Sequence, residues 1–151
     1  LFAPNQSMTR GMMVTTLYRL AGEPQVEGTA TFQDVKSSAY YANAVAWAEA
    51  NGIAKGIDTG VFAPNAPVTR EQAAAFAYRY VTAFLGKTPV PGASLGGFQD
   101  AGLVSDYAAE SLSWAHAAGL MVGYGDGFLG PKDTVTRAQM AKLLTLLAQN
   151  F

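Results

Sequence analysis

The chain has 151 residues and a mass of 15.9 kDa, enough for one domain with a real core. Half of its residues are hydrophobic and only 14% are charged, which excludes extensive disorder. A net charge of −1 removes the broad attraction used by nucleic-acid and anionic-membrane binders, and with no cysteine and one histidine neither a disulfide framework nor a zinc site is available.

Residues 1–22 read as a turn, Phe2-Ala3-Pro4, and a helix capped by the hydroxyl of Thr9. Met13, Leu17 and Leu20 follow at the spacing of one helical face, and Gly22 ends the helix. Gly22-Glu23-Pro24 then opens a polar joint reaching Thr29. Leu1 falls in the middle of a repeat, so the sequence reads as a fragment of a longer chain.

Residues 29–85 form a complete unit. Phe32-Gln33-Asp34-Val35 leads into a short helix near Tyr40 to Asn51, with Val45 and Ala48 on its apolar face and Trp47 beside them. Asn51-Gly52 stops it as a left-handed cap. A glycine-rich loop containing Gly56-Ile57-Asp58-Thr59-Gly60 follows. Thr69 then starts a longer helix bearing Ala73, Phe76, Ala77, Tyr80 and Phe84. Residues 86–97, rich in glycine and proline, are a linker.

Residues 98–151 repeat this plan. Phe98-Gln99-Asp100 matches Phe32-Gln33-Asp34, Trp114 matches Trp47, and Gly123 to Gly127 matches the loop at Gly56. One extra residue between Asp100 and Tyr107 is placed in a loop, where it costs little. The last helix sets Met140, Leu143, Leu144 and Leu147 where Ala73, Phe76, Ala77 and Tyr80 stood. Val68-Thr69-Arg70-Glu71-Gln72 therefore occurs three times, with Arg10, Arg70 and Arg137 at spacings of 60 and 67 residues. Each copy follows a Phe/Leu-x-Pro turn. Helix pairs this short cannot bury their apolar faces alone, so neighbouring units must pack together. Three long helices of one pattern predict a mainly α fold: helix–loop–helix modules in a closed pseudo-three-fold bundle, with grooves between modules.

F-x-D-V, an A-V-x-W-A helix ending in N-G-I, a G-x-x-x-G-x-F-x-P loop and a T-R-[AE]-[EQ] helix start together resemble S-layer homology modules. The resemblance covers two and a half modules. It implies a three-fold spindle that anchors extracellular proteins non-covalently to the bacterial cell wall or S-layer. The partner it implies is a secondary cell-wall polysaccharide, often carrying a pyruvylated amino sugar. Arg70, Arg137 and Arg10 match the family's functional arginine. The motif's glutamate is replaced by Met12, Gln72 and Gln139, and the first module lacks its F-x-D-V and short helix. An upstream segment or a second copy of the chain is expected to complete that module.

A guanidinium at a helix N-terminus suits the fixed carboxylate of a pyruvate ketal. Gly56 and Gly123 would let backbone amides approach a sugar, Asp34 and Asp100 would accept from its hydroxyls, and Trp47 and Trp114 would stack on its ring. Each has a competing structural reading. Thr69/Gln72 and Thr136/Gln139 spell capping boxes, the aspartates suit turn caps, and the tryptophans suit packing between modules. His116, aligned with Glu49, is expected to be solvated. The glycine loops lack the carboxylates of a calcium site and the Lys-Ser/Thr of a phosphate loop. Nothing nominates a catalytic pair, a metal or a cofactor, and no apolar run reaches the roughly 18–20 residues of a membrane span. The competing function is a protein-binding or self-assembly module of a surface layer.

Overall fold

The computed structural model describes residues 5–56 and 59–151. The turn expected at Phe2-Ala3-Pro4, and Ile57 and Asp58 of the first glycine loop, lie outside them. Among the described residues the protein is mainly helical: α1 (Arg10–Leu20), α2 (Ala42–Ala50), α3 (Arg70–Arg79), α4 (Ala109–Ala117) and α5 (Arg137–Asn150). α3 runs on into a π-helical turn over Tyr80–Phe84, where a plain α-helix is expected from the spacing. The wider turn delivers Phe84 edge-on to Trp47, with ring centroids 5.2 Å apart.

The three long helices start identically. Thr9, Thr69 and Thr136 hold extended backbone and accept from the N–H three residues on. At Thr69 and Thr136 the glutamine three residues on returns the bond, completing both capping boxes. Three helices also stop identically. Gly22, Gly52 and Gly119 take positive φ, and paired bonds close each Schellman turn, such as Ile53 N–H to Ala48 O and Gly52 N–H to Glu49 O.

The caps meet at the centre. Met8 N–H donates to Val135 O (2.9 Å), Val135 N–H to Val68 O (2.9 Å), and Val68 N–H to Met8 O (2.8 Å). This closed ring is the pseudo-three-fold axis, and its three side chains are buried. A second tier runs outside it: Arg10, Arg70 and Arg137 donate backbone N–H to Ala66 O, Asp133 O and Gln6 O. Around this frame α1 packs on α2, α3 and α5, while α3 packs on α4. Each short helix thus lies against the long helix of the preceding module.

One inter-module contact rests on residues to which the sequence pattern assigns nothing. Glu71, in the first turn of α3, is 2% exposed. Its carboxylate accepts from Ser105 N–H (3.0 Å), Ser105 Oγ (2.6 Å) and Lys132 Nζ (2.9 Å). Ser105 lies in the stretch lengthened by one residue, between 3₁₀ turns at Ala101–Leu103 and Asp106–Ala108. The insertion is therefore a docking element.

Burial raises the Glu71 pKa, but the Ser105 and Lys132 contacts outweigh it and hold the carboxyl below its ordinary 4.5. Because the folded value is the depressed one, the stabilisation is complete above about pH 4.5 and is lost as pH falls through the folded value. Glu71→Gln is expected to cost roughly 1–3 kcal/mol at pH 7. The wild-type advantage should shrink at pH values below 4.5. Urea unfolding of both proteins at neutral and acid pH measures this.

Candidate functional site

The tiers around the axis aim the Arg10 and Arg70 side chains into the loop of the next module. Arg10 is 4% exposed and donates Nε–H to Phe62 O (2.8 Å) and Nη2–H to Lys55 O (3.2 Å). Its guanidinium lies over the rings of Phe62 (4.8 Å) and Phe76 (5.2 Å). Arg70, 5% exposed, repeats this with Nε–H to Leu129 O (3.0 Å) and Nη2–H to Val122 O. Arg137 is half-buried, and its buried Nε finds no acceptor among the described residues. The carbonyl equivalent to Phe62 and Leu129 belongs to Phe2, outside them.

Two grooves follow. The larger, of about 400 Å³, is entered by Arg10 from the first module, by Lys55, Gly56, Gln72 and Arg79 from the second, and by Tyr107 from the third. The smaller, about 150 Å³, holds Arg70, Gly123, Tyr124, Gln139 and Lys142. Burial pulls the Arg10 guanidinium below its ordinary range; Tyr107 opposes this and the neighbouring Arg79 adds to it. Burial is also the first cause lowering Arg79, whose Nη1–H donates to Ile53 O (3.3 Å). In the smaller groove Tyr124 covers the Arg70 guanidinium at 4.8 Å, and its hydroxyl donates to Asp133 Oδ2 (2.8 Å).

The aspartates act on the frame. Asp34 accepts from Phe62 N–H (2.9 Å) and Ala63 N–H (2.7 Å), and Asp100 accepts from Leu129 N–H (2.9 Å) and Gly130 N–H (2.8 Å). Both carboxylates clasp the turns whose carbonyls hold the arginines, so the sugar-orienting role expected for them gives way to a turn-clasping one. The clasp is firm enough to keep Ala63 at φ +59°, where its counterpart is Gly130 at +69°.

The stacking expected of the tryptophans is corrected outright. Trp47 is 3% and Trp114 2% exposed. Trp47 meets Tyr18, Tyr80 and Phe84, and Trp114 meets Tyr78 and Phe151, so no ring face is left for a sugar. His116 is half-buried rather than solvated, edge-on to Phe98 with Nδ1 3.2 Å from Met121 O. Gly56 and Gly123 do line the grooves. At Gly123 the reason for glycine is room, since a Cβ would meet the Phe98 ring at 2.7 Å. Lys55, Arg79 and Tyr107 carry the larger groove and have no motif signal. The repeat alignment alone marks them, because their counterparts Val122, Leu146 and Tyr40 differ in charge or setting.

With this geometry in view, the comparisons are unambiguous. The S-layer homology domain profile matches residues 31–74 and 97–141, and the chain belongs to that family. It is 34% identical over 146 residues to an endoglucanase of Bacillus sp. (strain KSM-635), covering 97% of this chain and 15% of that protein. It is 33% identical over 153 residues to a surface-layer 125 kDa protein of Lysinibacillus sphaericus, covering 99% and 12%. An amylopullulanase of Thermoanaerobacterium thermosulfurigenes is 32% identical over 146 residues, covering 95% and 8%. The chain thus spans a small part of each relative's length. Among solved structures, an undecaheme cytochrome from the S-layer of Carboxydothermus ferrireducens covers the whole chain and 19% of its own, with a TM-score of 0.56 at 15% identity, a likeness of fold. The family is one of surface-anchoring modules, and the chain is a cell-surface module of this class. No helix among the described residues is long and apolar enough to cross a membrane.

The tryptophans offer a clean check. Trp114→Ala should cost about 3–5 kcal/mol of folding stability. Trp114→Phe should keep both the fold and wall binding. Denaturant unfolding with wall sedimentation separates core packing from sugar stacking, since a stacking role predicts binding loss in a stable protein.

Proposed function

We propose that the module anchors its parent protein by binding an anionic cell-wall polysaccharide in the groove at Arg10, without chemistry on the ligand. The observation that carries this reading is a cavity of about 400 Å³ lined by Arg10, Lys55 and Arg79, with no carboxylate among its described lining residues. Arg10 Nη1 makes no hydrogen bond to a described residue, so one guanidinium edge is available to a carboxylate such as that of a pyruvate ketal. Gln72 and Tyr107 offer uncharged polar groups for sugar hydroxyls, and Gly56 lets a ring come close to backbone.

The relatives support the division of labour. An endoglucanase, an amylopullulanase and a surface-layer protein share these roughly 150 residues and little in name. What they share is accordingly a means of attachment, with catalysis belonging to the rest of each enzyme. Arg70 and Arg137 are secondary on this reading. Tyr124 covers Arg70, and Arg137 lines neither of the two grooves described above.

Purified bacterial cell walls should sediment the protein, and removal of their secondary polysaccharide should abolish this. Arg10→Gln, with helicity and melting followed in parallel, should weaken binding roughly tenfold to a hundredfold. Undiminished binding by a folded Arg10→Gln variant would exclude this groove. Binding to stripped walls or to surface-layer protein alone would favour a protein-interaction module.

A further inference from the structure

The larger groove holds more positive charge than one carboxylate needs. Arg10 and Arg79 bind carbonyls two residues apart, Lys55 O and Ile53 O, so their guanidiniums are held side by side on one stretch of loop. Lys55 adds an exposed ammonium at the same mouth. The other lining residues are neutral. The one ion pair among the described residues is Lys132–Glu71, so none of the three cations pairs with a described carboxylate. Asp34 already spends both carboxylate oxygens on backbone amides.

The repeat supplies an internal control. In the smaller groove Val122 replaces Lys55 and Leu146 replaces Arg79, while Lys142 stands where Ala75 stood. Tyr124 and Asp133 lean over its arginine. The same frame thus carries one groove with two adjacent guanidiniums and one with a single guanidinium. Like charges held together repel, and the repulsion is relieved in full only when each cation meets an anion.

Resting on the reading of this groove as a glycan site, we infer that it receives two anionic groups from one ligand, the first at Arg10 and the second between Arg79 and Lys55. The ligand class is an acidic oligosaccharide whose negative charges sit on adjacent units. The second group is a carboxylate or a phosphate, both of which a guanidinium–ammonium pair accepts. Specificity for charge density then resides in Arg79 and Lys55, and Arg10 supplies the common contact.

Calorimetric titration with synthetic disaccharides tests this. One probe carries a single pyruvate ketal, a second carries a ketal on both units, and a third carries one ketal and one phosphate. The wild type should bind at least one doubly charged probe about tenfold tighter than the singly charged one, and the preferred probe identifies the second anion. Arg79→Gln should erase most of that gap, weakening the doubly charged probes by a larger factor than the singly charged one. Lys55→Gln, at a side chain with no hydrogen bond or ion pair to a described residue, should reduce the gap in the same direction. Equal binding of all probes by the wild type overturns the inference and leaves the groove standing. A gap that survives both substitutions also overturns it, since the second anion then lies elsewhere. If no probe binds the wild type, the groove reading falls with it.

Discussion

The closed ring of backbone hydrogen bonds among Met8, Val68 and Val135 is the constraint on which everything else depends. Each residue donates to one neighbour and accepts from the other, so no one pairing is complete without the remaining two. The partners are 60 and 67 residues apart, and closing such loops has an entropic cost that local structure cannot offset. Burial of the three side chains and their long helices offsets it together. The ring also fixes function at a distance. Each helix begins one residue after its threonine cap, so Arg10 and Arg70 leave the axis alike and enter the loop of their neighbour.

On the proposed function, a structural and a recognition role for the arginines are compatible. Arg10 and Arg70 each give Nε and Nη2 to carbonyls of the adjoining module, and Arg10 rests on two phenylalanine rings. Lysine has neither the planar face nor the fork to make these contacts at once. An arginine immobilised in this way has already lost its rotamer freedom on folding, so a ligand anion meets a preformed donor. On the proposed function, these structural bonds are what would make it a good receptor.

Much of this was legible in the residues because it is local chemistry. The threonine caps, the glutamine returns and the glycine stops are set by a few neighbouring residues, and each occurs where the pattern puts it. The repeat fixed which segments are equivalent, and with it the three-fold closure. What was illegible depends on who sits across a module boundary. Glu71 carries no signal of its own in the repeat, yet it is buried by Ser105 and Lys132 from the next module. Trp47 and Trp114 were ambiguous between packing and stacking because an alanine-rich helix serves either, and only the aromatic neighbours decide. The aspartates were ambiguous for the same reason: a carboxylate's partners 28 to 30 residues away do not show in its own motif.

The three-fold frame does not make three equal sites. Symmetry is enforced where backbone meets backbone, at the axis, and is free to lapse where side chains face solvent. Position 55 against 122, and 79 against 146, therefore differ at no cost to the ring, and those differences decide how much charge each groove presents. Tyr107 makes the point from the other direction. It reaches the larger groove from the third module, where its own burial first, and then the charge of neighbouring Glu71, push its hydroxyl pKa up. The groove at Arg10 is thus completed by all three modules, and the docking of the third on the second is part of its construction. A repeat protein of this kind holds its grooves in place by symmetry and distinguishes them by departing from it.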